Sequence, residues 1–359
     1  MVPRVLGLYV ARRFAGTTAA VFFGMFFLIL LIDYIETTRR ASHAGDFPAW
    51  FVAMTAFFRV PQIAERLLPF AVLVATMLVY LNLARRNELV IARAAGMSAW
   101  QFVMPAVLAS LLFGLAATML YNPLAALAGE RAKRLEAQMF GAADATGGRF
   151  WLRQRSADGQ SILYAGASAN QGESLSGVSA FLFDHDGRFS ERIEADSAKL
   201  EPGQWRLFNV RIYSPNARPR AADSYVLKTD LSPTQIRESL ATPETVSFWG
   251  LPQYIDLAER AGLVAAGYRF QYQSLLARPF MLAAMVLLAA SVSLRFFRFG
   301  GVQRMILCGM GAGFLLYVLS KVTEDLSKAA LMPAIPAAWS PAAIGALAGV
   351  LVLLFQEDG

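Results

Sequence analysis

FAGTTAAVFFGMFFLILLI, residues 14–32, runs for 19 residues without an Asp, Glu, Lys or Arg. A helix rises about 1.5 Å per residue and a bilayer core is about 30 Å thick, so roughly 20 apolar residues make one crossing. The stretch exceeds the roughly 7–15 residue apolar core of a secretory signal and exits into Asp33-Tyr34-Ile35-Glu36 rather than small residues, so it is expected to stay as a span. Five more charge-free runs follow: 67–84, 94–129, 279–294, 305–320 and 329–356. The third and sixth of the six exceed one crossing but leave no room for two and a turn. The two 16-residue runs, 279–294 and 305–320, are flanked by Arg278, Arg295, Arg304 and Lys321, whose long side chains can reach the interface. Six spans are predicted. A shorter uncharged run, Phe47–Phe58, reads as an interfacial helix or as an extension of the second span.

Composition agrees. Of 359 residues 56% are hydrophobic and 16% charged, against roughly 25% charged in soluble domains. That excludes a disordered chain, a disulfide scaffold and an ordinary soluble enzyme. The lone Cys308 cannot form an internal bridge, and two histidines with one cysteine are too few for a classical zinc site. Basic residues near the spans set orientation. With the amino terminus inside, Arg4, Arg12, Arg13, Arg85, Arg86, Arg93, Arg295, Arg298 and Arg304 fall on the inner side. Arg39, Arg40, Arg59, Arg66, Lys321 and Lys328 fall on the outer side. Both termini are then expected in the cytoplasm, with the long segment between spans three and four outside. That segment, 130–278, holds 18 Lys and Arg against 17 Asp and Glu, so most of the net charge of +7 belongs to the membrane edges. Such a distribution suits anionic lipid. A nucleic-acid partner would need a basic stripe on the soluble part, and there is none.

The outer segment reads as β. Val178–Asp184 alternates, His185-Asp186-Gly187-Arg188 turns, and Phe189–Glu201 alternates with Ile193, Ala195 and Ala198. Pro202-Gly203-Gln204 turns again before Trp205–Tyr213, with Leu207, Val210 and Ile212. Phe150–Arg155, Ser161–Ala165 and Ser224–Thr229 look like further strands. Five or six short strands admit a sandwich, a jelly roll or an open barrel. A polar helix, about Pro252–Ala266, leads back to the membrane.

Catalytic motifs are missing: the sequence has no G-x-x-x-x-G-K-[ST], no G-x-S-x-G and no H-E-x-x-H. His185 reads as a solvated turn residue and His43 has no evident partner, so no catalytic residue is assigned. Two stretches invite a binding role. In ARRNELVIARAAGMSAW (84–100), Glu88, Ala92 and Ala95 are spaced for one helical face, next to Arg86 and the small residues Ala94 and Gly96. This is either a docking helix for a partner subunit or a basic loop with an incidental glutamate. Arg39-Arg40 at the outer end of span one, and Arg131, Lys133 and Arg134 past span three, either bind lipid phosphates, which guanidinium groups can grip in a bidentate manner, or form solvated flanks. Asp33 and Glu36 read as residues leaving the membrane, Glu324-Asp325 as a short solvated turn. Gly309, Gly311 and Gly313 would allow close helix packing.

Three spans, an outer β segment, three spans and a Glu-bearing inner loop together resemble the lipopolysaccharide export permeases of the LptF/LptG family. The residues that carry the likeness are RRNELVIARAAGMS (85–98), ERLLPFAVLVATMLVYLNLA (65–84), TPETVSFWGLPQYIDLAERAG (242–262) and YRFQYQSLLARPFMLAAMVLLAASVSLRF (268–296). The Tyr254–Gly262 helix and LIDYIETTRR (31–40) favour the LptG branch. The resemblance implies an α-helical integral membrane protein of the bacterial inner membrane with six transmembrane helices (3+3) and an inserted periplasmic β jelly roll. Its units would be residues 1–130, 131–267 and 268–359. It further implies a sister permease (LptF-type), an ATPase dimer (LptB-type) that does the hydrolysis, a single-span periplasmic β protein (LptC-type), and lipopolysaccharide as cargo, with no cofactor or metal. Glu88 would be the acidic contact in the ATPase groove, with Arg86, Ala92, Ala95 and Gly96 beside it. Arg39, Arg40, Lys133 and Arg134 would face the phosphorylated headgroup. Some LptG-type members carry a lysine where this chain has Asp33, so headgroup contacts are expected to differ. Another lipid- or lipoprotein-handling ABC permease, or a membrane scaffold with an outer β domain, also matches the topology.

Overall fold

The computed structural model describes residues 4–44, 47–140, 150–156, 159–169, 174–184, 188–215, 218–229, 243–260, 265–297 and 301–357. The expected turn at His185-Asp186-Gly187 lies outside them.

Among the described residues, six helices have the length and apolarity of membrane spans, one for each charge-free run. The first, α1 (Arg4–Ala44), is a single helix of 41 residues, about 60 Å long. Its middle turns leave Phe23, Phe27, Leu28 and Leu31 exposed, as a lipid-facing surface must be. The second, α2 (Ala49–Arg85), takes in the Phe47–Phe58 run from Ala49 onward as an extension of the span; it lies at the centre and buries Val72, Leu73, Ala75 and Val79. A seven-residue helix, α3 (Glu88–Ala94), leads into α4 (Ala99–Ala116). A π-helical turn at Ala117–Tyr121 then passes into α5 (Asn122–Phe140), so the third span continues well past its apolar run. The Thr118 hydroxyl in that turn donates to the Leu275 carbonyl at 3.0 Å, a use for irregular backbone inside a membrane bundle.

After the sheet come a 3-10 turn, Pro243–Thr245, and α6 (Leu251–Arg260); residues 261–264 of the expected Pro252–Ala266 helix lie outside the described residues. The last three spans are α7 (Ala266–Phe297), α8 (Val302–Lys328) and α9 (Ala334–Glu357). Glu324 and Asp325 belong to the last turns of α8, not to a loop, and both reach Lys321. One apolar cluster unites the bundle: Phe14 of α1, Leu68 and Met77 of α2, Ala106 of α4, Leu282 and Val286 of α7, and Leu316 of α8. Close approach depends on particular glycines. A Cβ on Gly114 would lie 2.5 Å from Pro279 Cα, so α4 meets α7 backbone to side. Gly309 and Gly313 face Met77 and Leu73 of α2, while Gly311 faces open space. Small residues at i and i+4 thus let α8 sit on α2.

Between α5 and the 3-10 turn, the described residues form six strands of one antiparallel sheet: β1 (Phe150–Ser156), β2 (Gly159–Ala169), β3 (Ser174–Phe183), β4 (Phe189–Glu201), β5 (Gln204–Tyr213) and β6 (Arg220–Lys228). They pair strictly in chain order, which makes the described sheet a meander. The return connection that defines a jelly roll does not occur among the described strands, because every one pairs with its sequence neighbours. The inward positions change parity partway along: Leu175 then Val178 and Ala180; Ile193 and Ala195 then Ala198 and Leu200; Trp205 and Leu207 then Val210 and Ile212. Gly177 (φ 62°) and Asn209 (φ 54°) sit at two of these breaks. The registers set Gly177 opposite the Asp196 position, and Asp196 opposite Asn209, where the Asn209 amide donates to the Asp196 carboxylate at 3.1 Å. A row of irregular positions therefore bends the sheet, and both halves of each strand turn toward one core around Trp205.

Candidate functional site: a short helix at one end and a cationic rim at the other

At the end of the bundle away from the sheet, α3 is held between two left-handed residues, Asn87 (φ 60°) and Gly96 (φ 80°). Asparagine tolerates that conformation and glycine adopts it freely. Leu89 is buried and Ala92 packs on the same cluster, which also holds Leu6, Val103 and Leu353. Val90 and Ile91 point outward, as do Ala94, Ala95 and Gly96. The single face expected for Glu88, Ala92 and Ala95 therefore does not form. Ala92 turns into the bundle, Ala95 lies past the last helical turn, and Glu88 reaches α1. Its Oε2 accepts from the Tyr9 hydroxyl at 3.0 Å, and Arg13 Nη1 lies 3.4 Å from both carboxylate oxygens. Arg86 is exposed at the close of α2.

At the opposite end the structure brings the two predicted basic pairs onto neighbouring helices. Arg59 of α2 joins them: it binds Asp33 (Nη2–Oδ1 2.6 Å) and Thr37 (2.7 Å) of α1 and Glu136 of α5. Asp33, its side chain 10% exposed, is thus a partner of Arg59. Arg39, 72% exposed, pairs with Glu36, as does Arg40; Arg134 pairs with Glu130 one turn away. Such exposed pairs are weak and easily exchanged for another anion. Lys133 is half-buried beside them, and the Arg131 guanidinium lies over the Phe58 ring at 5.6 Å.

Beside this rim, α2, α7, α8 and α9 enclose a cleft of about 310 Å³ with Arg66, Lys321 and Glu324 toward the top and Phe70, Met281 and Met285 below. Glu65 and Arg278 form a buried ion pair in its wall, with side chains 7% and 14% exposed. Asn122 donates to Glu65 at 2.8 Å and, through its carbonyl oxygen, accepts the Phe248 backbone N–H at 2.8 Å. The connector from the sheet is fastened further by Gln62 to the Glu244 carbonyl (2.8 Å) and by Lys328 to the Glu244 carboxylate (3.2 Å). Burial alone would raise the Glu244 carboxyl; its backbone hydrogen bond and the Lys328 ammonium outweigh that and hold it below its ordinary value. Sequence reading passed over Glu65 and took Arg278 as a flank reaching the interface and Arg59 as an outer basic residue, whereas both arginines pair with carboxylates inside the bundle. The signal lay in charges within an otherwise apolar helix, each of which needs a buried partner.

An apolar bundle with a charged rim at one end and a short exposed helix at the other holds no catalytic constellation among the described residues. Comparison with known proteins agrees. The chain is 26% identical over 353 residues to the lipopolysaccharide export system permease protein LptG of Escherichia coli K12, covering 94% of this chain and 95% of that protein. It is 23% identical over 349 residues to the protein of the same name from Haemophilus influenzae, covering 93% of each. A family model described as lipopolysaccharide export system permease LptF/LptG matches residues 8–355, and with that match spanning nearly the whole molecule the chain belongs to the LptF/LptG family.

Proposed function

We propose that this protein is the LptG-type permease of an ATP-driven machine that lifts lipopolysaccharide out of the bacterial inner membrane. The observation that carries the reading is the division of the bundle's ends: an exposed seven-residue helix at one, and a cationic rim with a β-sheet at the other, in a chain of this family. Residues 1–130 and 268–359 form the membrane unit and 131–267 the outer unit. The termini and α3 face the cytoplasm and the sheet faces the periplasm.

Physical reasoning supplies the division of labour. Each buried methylene holds an amphiphile in the bilayer by about 0.8 kcal/mol, so a glycolipid with several chains does not leave unaided. The chain itself has no nucleotide-binding loop, so the work comes from an ATPase dimer (LptB-type) docked on α3. Val90, Ile91, Ala94, Ala95 and Gly96 provide the contact surface there, with Arg86 at its edge. A sister permease (LptF-type) closes the cavity and a single-span periplasmic protein (LptC-type) receives the cargo. Arg39, Arg40, Lys133 and Arg134 hold the headgroup phosphates by exchanging carboxylate partners for phosphate.

The test is reconstitution with the sister permease, the ATPase and the single-span periplasmic protein in vesicles containing lipopolysaccharide. ATP-dependent delivery of glycolipid to a soluble acceptor is expected. Steady ATP hydrolysis with no delivery would overturn the reading.

A further inference from the structure

We propose that Arg13 and Tyr9 are positioning residues that tie the docking helix to the first span, so that a displacement of α3 reaches the cationic rim through α1. This rests on the proposed function for its cargo and motor, and on the geometry at Glu88 for the tie itself.

A seven-residue helix has no stability of its own, so its place is set by what it touches. Apolar contact comes from Leu89, in the cluster that Leu6 of α1 also packs on. The polar contact is a closed triangle. Arg13 Nη1 donates to the Tyr9 hydroxyl at 2.7 Å, that hydroxyl donates to Glu88 Oε2 at 3.0 Å, and Arg13 completes the pair with Glu88 at 3.4 Å. Tyr9 and Arg13 are one turn apart on the same face of α1, with the guanidinium 5.8 Å from the Tyr9 ring centroid. Arg13 is 19% exposed and Glu88 33%, so the pair is partly shielded from water and less screened than a surface pair. A carboxylate given over to α1 is not the free acidic knob that a docking contact alone would need.

The helix that receives this contact suits transmission. Between Arg4 and Ala44 it is unbroken and contains no proline, whereas α2, α4, α7 and α9 each contain at least one. From Arg13 to Arg39 is about 39 Å of continuous helix. Near the far end Asp33 and Thr37 are gripped by Arg59. Thus α1 carries one polar anchor at α3 and another at the rim, with an exposed apolar stretch between.

The experiment is a charge swap in the assembled complex: Arg13→Glu, Glu88→Arg, and both together, with Arg13→Lys as the conservative variant. Two readouts are taken, amide exchange of residues 88–94 and lipid released per ATP hydrolysed. Each reversal alone should speed exchange in α3 and lower lipid per ATP about tenfold. The double variant should recover both to within about twofold, and Arg13→Lys should stay near the unmodified protein. If the swap leaves exchange as fast as in Glu88→Arg, the tie is overturned. If exchange recovers but lipid per ATP does not, the relay is overturned and Glu88 acts on the motor directly. An unmodified complex that releases no glycolipid would count against the proposed function, while exchange would still decide the tie.

Discussion

Arg278→Ala is expected to destabilise the bundle by about 3–5 kcal/mol, the usual result of removing one partner from a buried ion pair. Glu65 is only 7% exposed and has two partners, the Arg278 guanidinium and the Asn122 amide. Without Arg278 a full carboxylate remains in the wall of the bundle with one neutral donor. At 3 kcal/mol the ratio of folded to unfolded protein falls roughly a hundredfold. The pair is nonetheless not a large net source of stability, because both ions lost their hydration on burial. Glu65→Leu with Arg278→Leu should therefore recover most of the loss. Asn122→Ala is intermediate: it leaves the buried Phe248 N–H without its acceptor, a cost of about 1–3 kcal/mol. The assay is unfolding in mild detergent, followed by tryptophan emission and by proteolysis of the connector around 243–250, since Asn122 joins the pair to that segment. A loss under about 1 kcal/mol for Arg278→Ala, or a double variant no better than the single, would refute the reasoning.

Gly114→Ala places a methyl 2.5 Å from Pro279 Cα and should cost about 1–3 kcal/mol, while Gly311→Ala, in open space, should be neutral; paired unfolding curves decide. The Glu244–Lys328 tie depends on pH. Because the folded carboxyl titrates below its ordinary value of 4.5, its contribution is complete above that value and is lost as pH falls through the lower, folded one. Proteolysis at the connector should rise on acidification in the unmodified protein, with a flatter profile in Lys328→Met. Trp205→Ala removes the largest fully buried side chain of the sheet and should cost about 3–5 kcal/mol, read by loss of strand signal at lower temperature.

The six spans were legible because a missing charge over some 16 or more residues has a single cheap explanation, a bilayer. The sheet was legible from alternation, and even its bend left a trace: Leu207 and Val210 are three apart where strict alternation demands two, which marks the irregular position at Asn209. The polar nodes were not legible, for a physical reason. Asp33 and Arg59 are 26 residues apart and Glu65 and Arg278 are 213 apart, so no local window contains both partners. A lone Asp33 at a span's edge reads as an exit. Only the unbroken course of α2, which carries Arg59, Glu65 and Arg66 in one apolar helix, makes each charge demand a partner. At α3 the error was of another kind. Spacing of three and four residues assumes a helix long enough to have a face, and one that stops at Ala94 leaves Ala95 outside it.

The distribution of these ties bears on how the bundle can move. At the sheet end, Arg59 joins three helices, Glu65 and Arg278 join α2 to α7 directly while Asn122 of α5 bonds to Glu65, and Lys328 binds the connector. Each tie includes a charge at least half withdrawn from water, where rupture leaves an uncompensated ion. At the α3 end the tie between α3 and the first span is a longer and more exposed pair, with 3.4 Å between nitrogen and oxygen. Strain applied to α3 therefore meets stiff resistance within the upper bundle and less at its base. On the proposed relay, α1 moves as a body about its Arg59 anchor. That would carry Arg39 and Arg40 with it, and would reshape the apolar groove of Phe27, Leu31, Met54 and Phe57 that α1 shares with α2.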